Sequence, residues 1–242
     1  MIASFRFHGE LADFLPRERR GARFDYACAR AATLKNAIEA LGVPHTEVGR
    51  LAVNGEPATL QRVVREGDAI EVFARQPEKV REPLFLADAH LGGLARFLRM
   101  LGYDTLHDPR IDDREIRRRA HDERRIVLTR DRELLKCREI MRGAYVHAIR
   151  VEAQLAEVAA RFRLAEDARP FTLCLRCNLP LEPVEKAAVA ERLPGRVREL
   201  QEAFTRCPGC ERIYWPGSHW ARMRSVLTGL CPPVDARAPE NF

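Results

Sequence analysis

No run in this 242-residue chain has the length and apolar character of a bilayer-spanning helix. Its opening stretch, MIASFRFHGELADFL, lacks the basic head and apolar core of a signal peptide. Both absences argue against a membrane anchor or export, and the protein is expected in the cytoplasm. Lysine is nearly absent, so arginine supplies almost all the positive charge. The net charge of +6 and the pI of about 9.1 favour an anionic partner such as nucleic acid. The excess is diffuse, however. Lys plus Arg against Asp plus Glu is 12 to 11 over residues 1–79, 18 to 16 over 80–168 and 11 to 8 over 169–242. Charge by itself therefore does not assign the partner.

A disulfide framework is also missing. Of seven cysteines, four fall as CLRC at Cys174/Cys177 and CPGC at Cys207/Cys210, while Cys28, Cys137 and Cys231 are scattered singly. An odd number of thiols with two CxxC pairs fits a reducing compartment and one metal site better than cross-linking.

Residues 1–76 alternate as half-buried strands do. Ala3, Phe5 and Phe7 share one face, and Phe24 and Tyr26 follow the polar PRERRGAR loop. Thr33 can cap a helix with the apolar stripe Leu34, Ala37, Ile38 and Leu41, which Gly42 ends. LAVNGEP then places Asn54-Gly55 at a turn, and GDAIEVFA forms the last strand. With its VNGEP turn and REGDAIEVFA ending, this segment resembles the ubiquitin-like β-grasp fold of small sulfur-carrier proteins. Such carriers end in a free Gly-Gly. Here the strand continues into FARQP within the chain, so sulfur carriage is not expected. The segment also holds no cluster of acids, and the chemistry is expected not to depend on it. QPEKVREP reads as a linker over 77–83.

Residues 84–168 have another rhythm. LFLAD is a buried strand, AHLGGLARFLRML a helix with Leu91, Leu94, Leu98 and Leu101 in register, and YDTLH a short strand. DDREIRRRAHDE is a polar helix, RIVLT a strand, RELLKCREIM a helix and AYVHAIRV a strand, before the helix EAQLAEVAARF. Apolar strands alternating with helices imply an α/β fold with a parallel sheet covered by helices.

Ligands of such sheets gather outside the carboxyl ends of the strands. Asp88 closes the first strand, Asp131 follows the third, Asp113 starts the second helix on the same edge, and Glu133 stands two residues beyond Asp131. Clustered carboxylates require a compensating cation, and oxygen ligands suit Mg²⁺ or Mn²⁺, which point to phosphodiester hydrolysis. The plain reading of any one of them is a helix cap or loop acid, and Asp108 and Asp112 compete with Asp113.

FLADAHLGGLARFLRMLGYDT, DDREI and RIVLTRDRELL resemble the PIN-type nuclease fold. They are most similar to the RNase family named for the C-terminal region of the mutator-seven exonuclease, a resemblance that extends through the cysteine segment. It implies a ribonuclease in which Asp88, Asp113 and Asp131 hold a divalent metal, with Glu133 as a further acid. Arg96, Arg99, Arg130 and Arg132 would then be phosphate partners, although arginines beside carboxylates equally make internal ion pairs. The run Arg117-Arg118-Arg119 reads as a solvated helix face. Thr129 can orient a water or a carboxylate, or serve only as a strand residue.

The two CxxC pairs supply four thiolates with no position left open, as a structural zinc ribbon requires. Residues 169–230 are read as that ribbon with a helical insertion between the pairs, and 231–242 as a tail. After the second pair, Trp215, His219 and Trp220 stand among arginines, as base stacking on RNA requires. The same tryptophans would also pack a small zinc module. The sequence thus points to a metal-dependent ribonuclease acting on single-stranded RNA, with a non-catalytic RNA-binding or adaptor protein as the alternative. It names no protein partner for the ubiquitin-like segment.

Overall fold

The computed structural model describes residues 1–217, which leaves His219 and Trp220 outside the described residues. Strand β1 (Ile2–His8) alternates buried and exposed positions, and it pairs antiparallel with β2 (Phe24–Ala27). Thr33 caps α1 (Leu34–Ala40) through a reciprocal pair of bonds with Asn36. Next come β3 (Val48–Val53), β4 (Glu56–Ala58) and β5 (Ala69–Ala74). Asn54 and Gly55 both have positive φ, 54° and 86°, the mirror-image turn that suits the right-handed twist of a two-residue hairpin. The five strands order as β2-β1-β5-β3-β4, with β1 and β5 parallel. Phe5, Leu34, Ile38, Ile70 and Val72 are fully buried between sheet and helix. Each such side chain contributes about 1.5–3 kcal/mol of burial. This is the ubiquitin-like region expected from the sequence.

The α/β segment follows. It comprises β6 (Phe85–Ala87), α2 (Gly92–Met100), β7 (Thr105–Leu106), α3 (Asp113–Asp122), β8 (Ile126–Thr129), α4 (Arg132–Lys136), β9 (Gly143–Tyr145) and α5 (Val151–Phe162). β6 pairs parallel with β7, and β8 parallel with β9. Two expectations ran long. The helix read over RELLKCREIM stops at Lys136, where Cys137 turns extended, and only the first two residues of AYVHAIRV, Ala144 and Tyr145, are strand, in the element Gly143–Tyr145. The cysteine segment contains β10 (Glu182–Val184), α6 (Lys186–Val189), α7 (Gly195–Leu200), β11 (Phe204–Arg206) and β12 (Ile213–Tyr214). β10, β11 and β12 form an antiparallel three-stranded sheet. The insertion between the cysteine pairs is thus part strand and part short helix. Pro183 suits an edge strand, where no N–H is needed, and Pro194 separates the two short helices.

The chain divides into two compact units. One comprises Met1–Pro77 with Asp88–His90 and Pro109–His147. Within it the ubiquitin-like segment covers the outer edge of β9. Glu47, a buried carboxylate, accepts the Tyr145 N–H at 2.9 Å, and a His45 ring nitrogen meets the Ile140 carbonyl at 3.1 Å. Tyr145 also packs against the ubiquitin-like core. An edge strand's open amide is thereby satisfied by a side chain.

The other unit holds Glu78–Ala87, Leu91–Asp108 and the described residues from Ala148 onward. Phe85 packs edge-on against Tyr103 and Phe162, and the leucine stripe of α2 is buried. Gly93 lets α2 approach α5, since a Cβ there would lie 2.7 Å from the Val151 side chain. The stretch expected as a linker is bonded here: the Glu78 N–H reaches Arg161 O, and Lys79 pairs with Glu166 and Asp167.

Candidate functional site

β8 is buried along its whole length and ends in Thr129, which is fully enclosed. A lone hydroxyl in such a place needs partners. Thr129 Oγ1 donates to Asp88 Oδ2 at 2.6 Å and accepts the Asp131 N–H at 2.9 Å. The Asp88 N–H in turn donates to Leu128 O at 3.0 Å, and Asp88 Oδ1 accepts the Ala89 N–H at 2.6 Å. One hydroxyl therefore fixes two sequence-distant aspartates at the carboxyl end of β8.

Asp131 caps α4. Its Oδ1 accepts the N–H groups of Glu133 and Leu134, and its Oδ2 has no donor among the described residues. Asp113 occupies the first position of α3 and is exposed, but the cap is Asp112, whose carboxylate accepts the Glu115 N–H at 2.8 Å. Asp113 is left uncommitted by that helix start. Glu133 is exposed and pairs with Lys136 at 2.6 Å. Asp88 and Asp131 are thus drawn together through Thr129, whereas Asp113 makes no bond with either, and Glu133 meets Asp131 only through its backbone N–H while its carboxylate lies with Lys136. Among the described residues, these carboxylates do not gather into a group of three close enough to share an ion.

The arginines divide by role. Arg96 and Arg130 are exposed. Arg99 is buried, and its guanidinium donates to the carbonyls of Thr105, Leu175 and Arg176, each at 2.9 Å. It braces the first cysteine turn. Arg132 donates to Phe14 O at 3.1 Å and lies 4.9 Å from the Phe14 ring centroid and 5.6 Å from that of Tyr145. Trp215 is half-buried, its ring 6.4 Å from that of Phe204, and packs on the small core of Val189, Leu193 and Phe204.

The ligand atoms of Cys174, Cys177, Cys207 and Cys210 all lie within 4.8 Å of one another, a set that could hold a metal ion. The two turns share one backbone design. Four residues after each leading cysteine, Asn178 and Glu211 adopt φ of 62° and 61°, and each donates its N–H to the leading cysteine's carbonyl at 2.9 Å. Burial opposes ionisation of Cys174, but the Tyr214 hydroxyl at 3.2 Å and the backbone N–H of Cys177 and Arg176 outweigh it and lower its pKa to about 6. Burial and the neighbouring thiols push Cys177 up to about 12. Several thiols this close cannot all ionise without a cation among them.

Residues 83–227 match a family model described as the Mut7-C RNAse domain, and residues 1–79 match one described as Mut7-C ubiquitin. No curated protein matches the chain. Two solved structures show similarity: SAMP1 from Haloferax volcanii at 19% identity, over 31% of this chain and 94% of that one, with a TM-score of 0.25; and the small archaeal modifier protein 1 of H. volcanii at 20% identity, over 30% and 94%, with a TM-score of 0.24. Among the described residues, no helix is long and apolar enough to cross a membrane.

Proposed function

The chain belongs to the Mut7-C RNAse domain family, and from that premise we propose that it is a divalent-metal-dependent ribonuclease with a PIN-like centre acting on single-stranded RNA. The observation that carries this reading is the Thr129 hydroxyl, which ties Asp88 and Asp131 to one strand end. Oxygen-only donors at that place suit Mg²⁺ or Mn²⁺. Asp88 and Asp131 would hold the ion, with Asp113 and Glu133 as the further acids of the site. When bound, such an ion polarises a phosphoryl oxygen and lowers the pKa of water.

The chain's own residues do the positioning. Thr129 keeps the Asp88 carboxylate turned to one side and holds the Asp131 backbone, so that Oδ2 of Asp131 is presented without reorganisation. Exposed Arg96 and Arg130 offer planar donors to phosphate oxygens. Arg99 has no part in this, because three carbonyls already occupy it.

The four cysteines are read as a structural zinc ribbon. Zn–S bonds of about 2.3 Å set tetrahedral S···S edges of about 3.8 Å, and Cys174 Sγ lies 3.7 Å from Cys210 Sγ. Reduced thiols of this kind suit the cytoplasm. We keep the domain limits of the sequence reading as part of the proposal: 1–76, a connecting stretch at 77–83, 84–168, 169–230 and a tail at 231–242.

The test is direct. Purified protein is incubated with labelled single-stranded RNA, duplex RNA and single-stranded DNA in Mn²⁺, Mg²⁺ or EDTA. Cleavage of single-stranded RNA that EDTA stops supports the reading. No cleavage in any condition would favour the adaptor alternative.

A further inference from the structure

We propose that His147 is a base-stacking contact for an unpaired nucleotide beside the scissile phosphate, held on an aromatic foundation to which the ubiquitin-like segment contributes Phe14. This rests on the ribonuclease reading and adds a binding site to it.

The first support is register. β8 and β9 run parallel with Thr129 opposite Tyr145, and the Val146 N–H donates to Thr129 O at 2.9 Å. His147 stands two residues beyond Tyr145, as Asp131 stands two beyond Thr129. The two therefore leave their strands at matching positions on the same carboxyl edge.

The second support is the ring geometry. The His147 ring lies 4.7 Å from Tyr145 at 73° and 5.5 Å from Phe14 at 71°, and Phe14 lies 5.2 Å from Tyr145 at 72°. Three rings thus meet edge to face in the arrangement their quadrupoles favour. The base of this cluster is fixed. Phe14 is buried, the Tyr145 backbone is held by Glu47, and the Arg132 guanidinium lies over both rings while bonding the Phe14 carbonyl. His147 alone of the three is exposed. An exposed aromatic ring whose orientation is set by buried neighbours needs little further ordering when a ligand arrives.

The chemistry of the occupant follows. Beside a site for a phosphodiester, a flat ring seated on two aromatic neighbours that Arg132 covers fits a nucleobase, whose π-face stacks on histidine. A paired base cannot splay out to reach it, so the contact selects unpaired strands.

The experiment uses full-length protein and steady-state cleavage of a short labelled RNA, single-stranded or annealed as a duplex. His147→Ala is expected to raise KM on the single strand by about 5- to 150-fold, the loss of one stacked base, with kcat little changed. His147→Trp should restore KM, and His147→Gln, which keeps a polar side chain but no ring, should not. Rescue by Gln and not by Trp would overturn the proposal in favour of a hydrogen-bonding role, and an unchanged KM in His147→Ala would overturn it outright. Wild-type cleavage in Mn²⁺ is the control that separates the two readings. If the wild type does not cleave, the ribonuclease reading fails. The stack is then read from equilibrium binding of the same single strand, where equal Kd for wild type and His147→Ala would refute it.

Discussion

Thr129 donates its hydroxyl to Asp88 across 41 residues of sequence, at 2.6 Å, from a position that solvent does not reach. Removing that hydroxyl at constant shape leaves an Asp88 oxygen and the Asp131 N–H without their partner. Thr129→Val is expected to destabilise the protein by roughly 1–3 kcal/mol and to lower cleavage further than the folded fraction explains. Thr129→Ser keeps the hydroxyl, loses one methyl group, and should cost about 1 kcal/mol. Denaturant midpoints at unchanged slope check the stabilities. A Thr129→Val protein as stable as wild type would show that the bond contributes nothing.

The cysteine cluster predicts about one equivalent of zinc in protein purified without oxidation. Cys207→Ser removes a buried ligand and should lose most of that metal together with several degrees of melting temperature. Elemental analysis beside a thermal melt tests both. A zinc content unchanged by Cys207→Ser would contradict the four-thiolate site.

The ubiquitin-like segment is expected to be structural for the β8–β9 half as well as for itself. Glu47→Ala leaves the Tyr145 N–H without its acceptor and should cost roughly 1–3 kcal/mol, whereas Glu47→Gln retains an acceptor oxygen and should cost less. A chain begun at Glu78 would lose Phe14, His45 and Glu47 together, so the sequence expectation that the chemistry is independent of this segment becomes a prediction of impaired folding. Hydrogen exchange at the Tyr145 amide reads it, and undiminished protection in the shortened chain would refute it.

Asp68 gives a pH signature. The Arg62 guanidinium, at 2.6 and 3.1 Å, holds its carboxyl below the usual range despite burial, aided by the Arg65 N–H and by Asn54. An acid whose folded pKa is depressed stabilises the fold above its unfolded value of about 4, and that contribution is lost as pH falls through the lower folded value. Asp68→Asn should therefore melt below wild type at neutral pH, with the gap closing below about pH 4. A gap that is constant from pH 7 to pH 2 would contradict the linkage.

Much of this was legible in local sequence. Alternation at Ala3, Phe5 and Phe7, the Thr33 cap and the Asn54-Gly55 turn are short-range signals, and the structure uses each of them. The ends of α4 and β9 were not legible. Just beyond α4 and along β9 the chain meets the ubiquitin-like segment, His45 at the Ile140 carbonyl and Glu47 at the Tyr145 N–H, and neither partner is near in sequence. Arg99 looks like any exposed helical arginine until the carbonyls of Leu175 and Arg176 arrive from 76 and 77 residues away. His147 carried one faint sign, a Tyr145/His147 pair at strand spacing, which gains meaning only beside Phe14.

The most direct test of the central claim is Asp131→Asn, with single-stranded RNA cleavage and melting temperature measured with and without Mn²⁺. If Asp131 holds the ion beside Asp88, cleavage is abolished and the Mn²⁺-induced rise in melting temperature largely disappears, because a ligand stabilises only the state that binds it. The metal-free variant should melt within about 1 kcal/mol of wild type, since Asn retains an oxygen for the α4 cap. An Asp131→Asn protein that cleaves at the wild-type rate and keeps the full Mn²⁺ stabilisation would contradict the account.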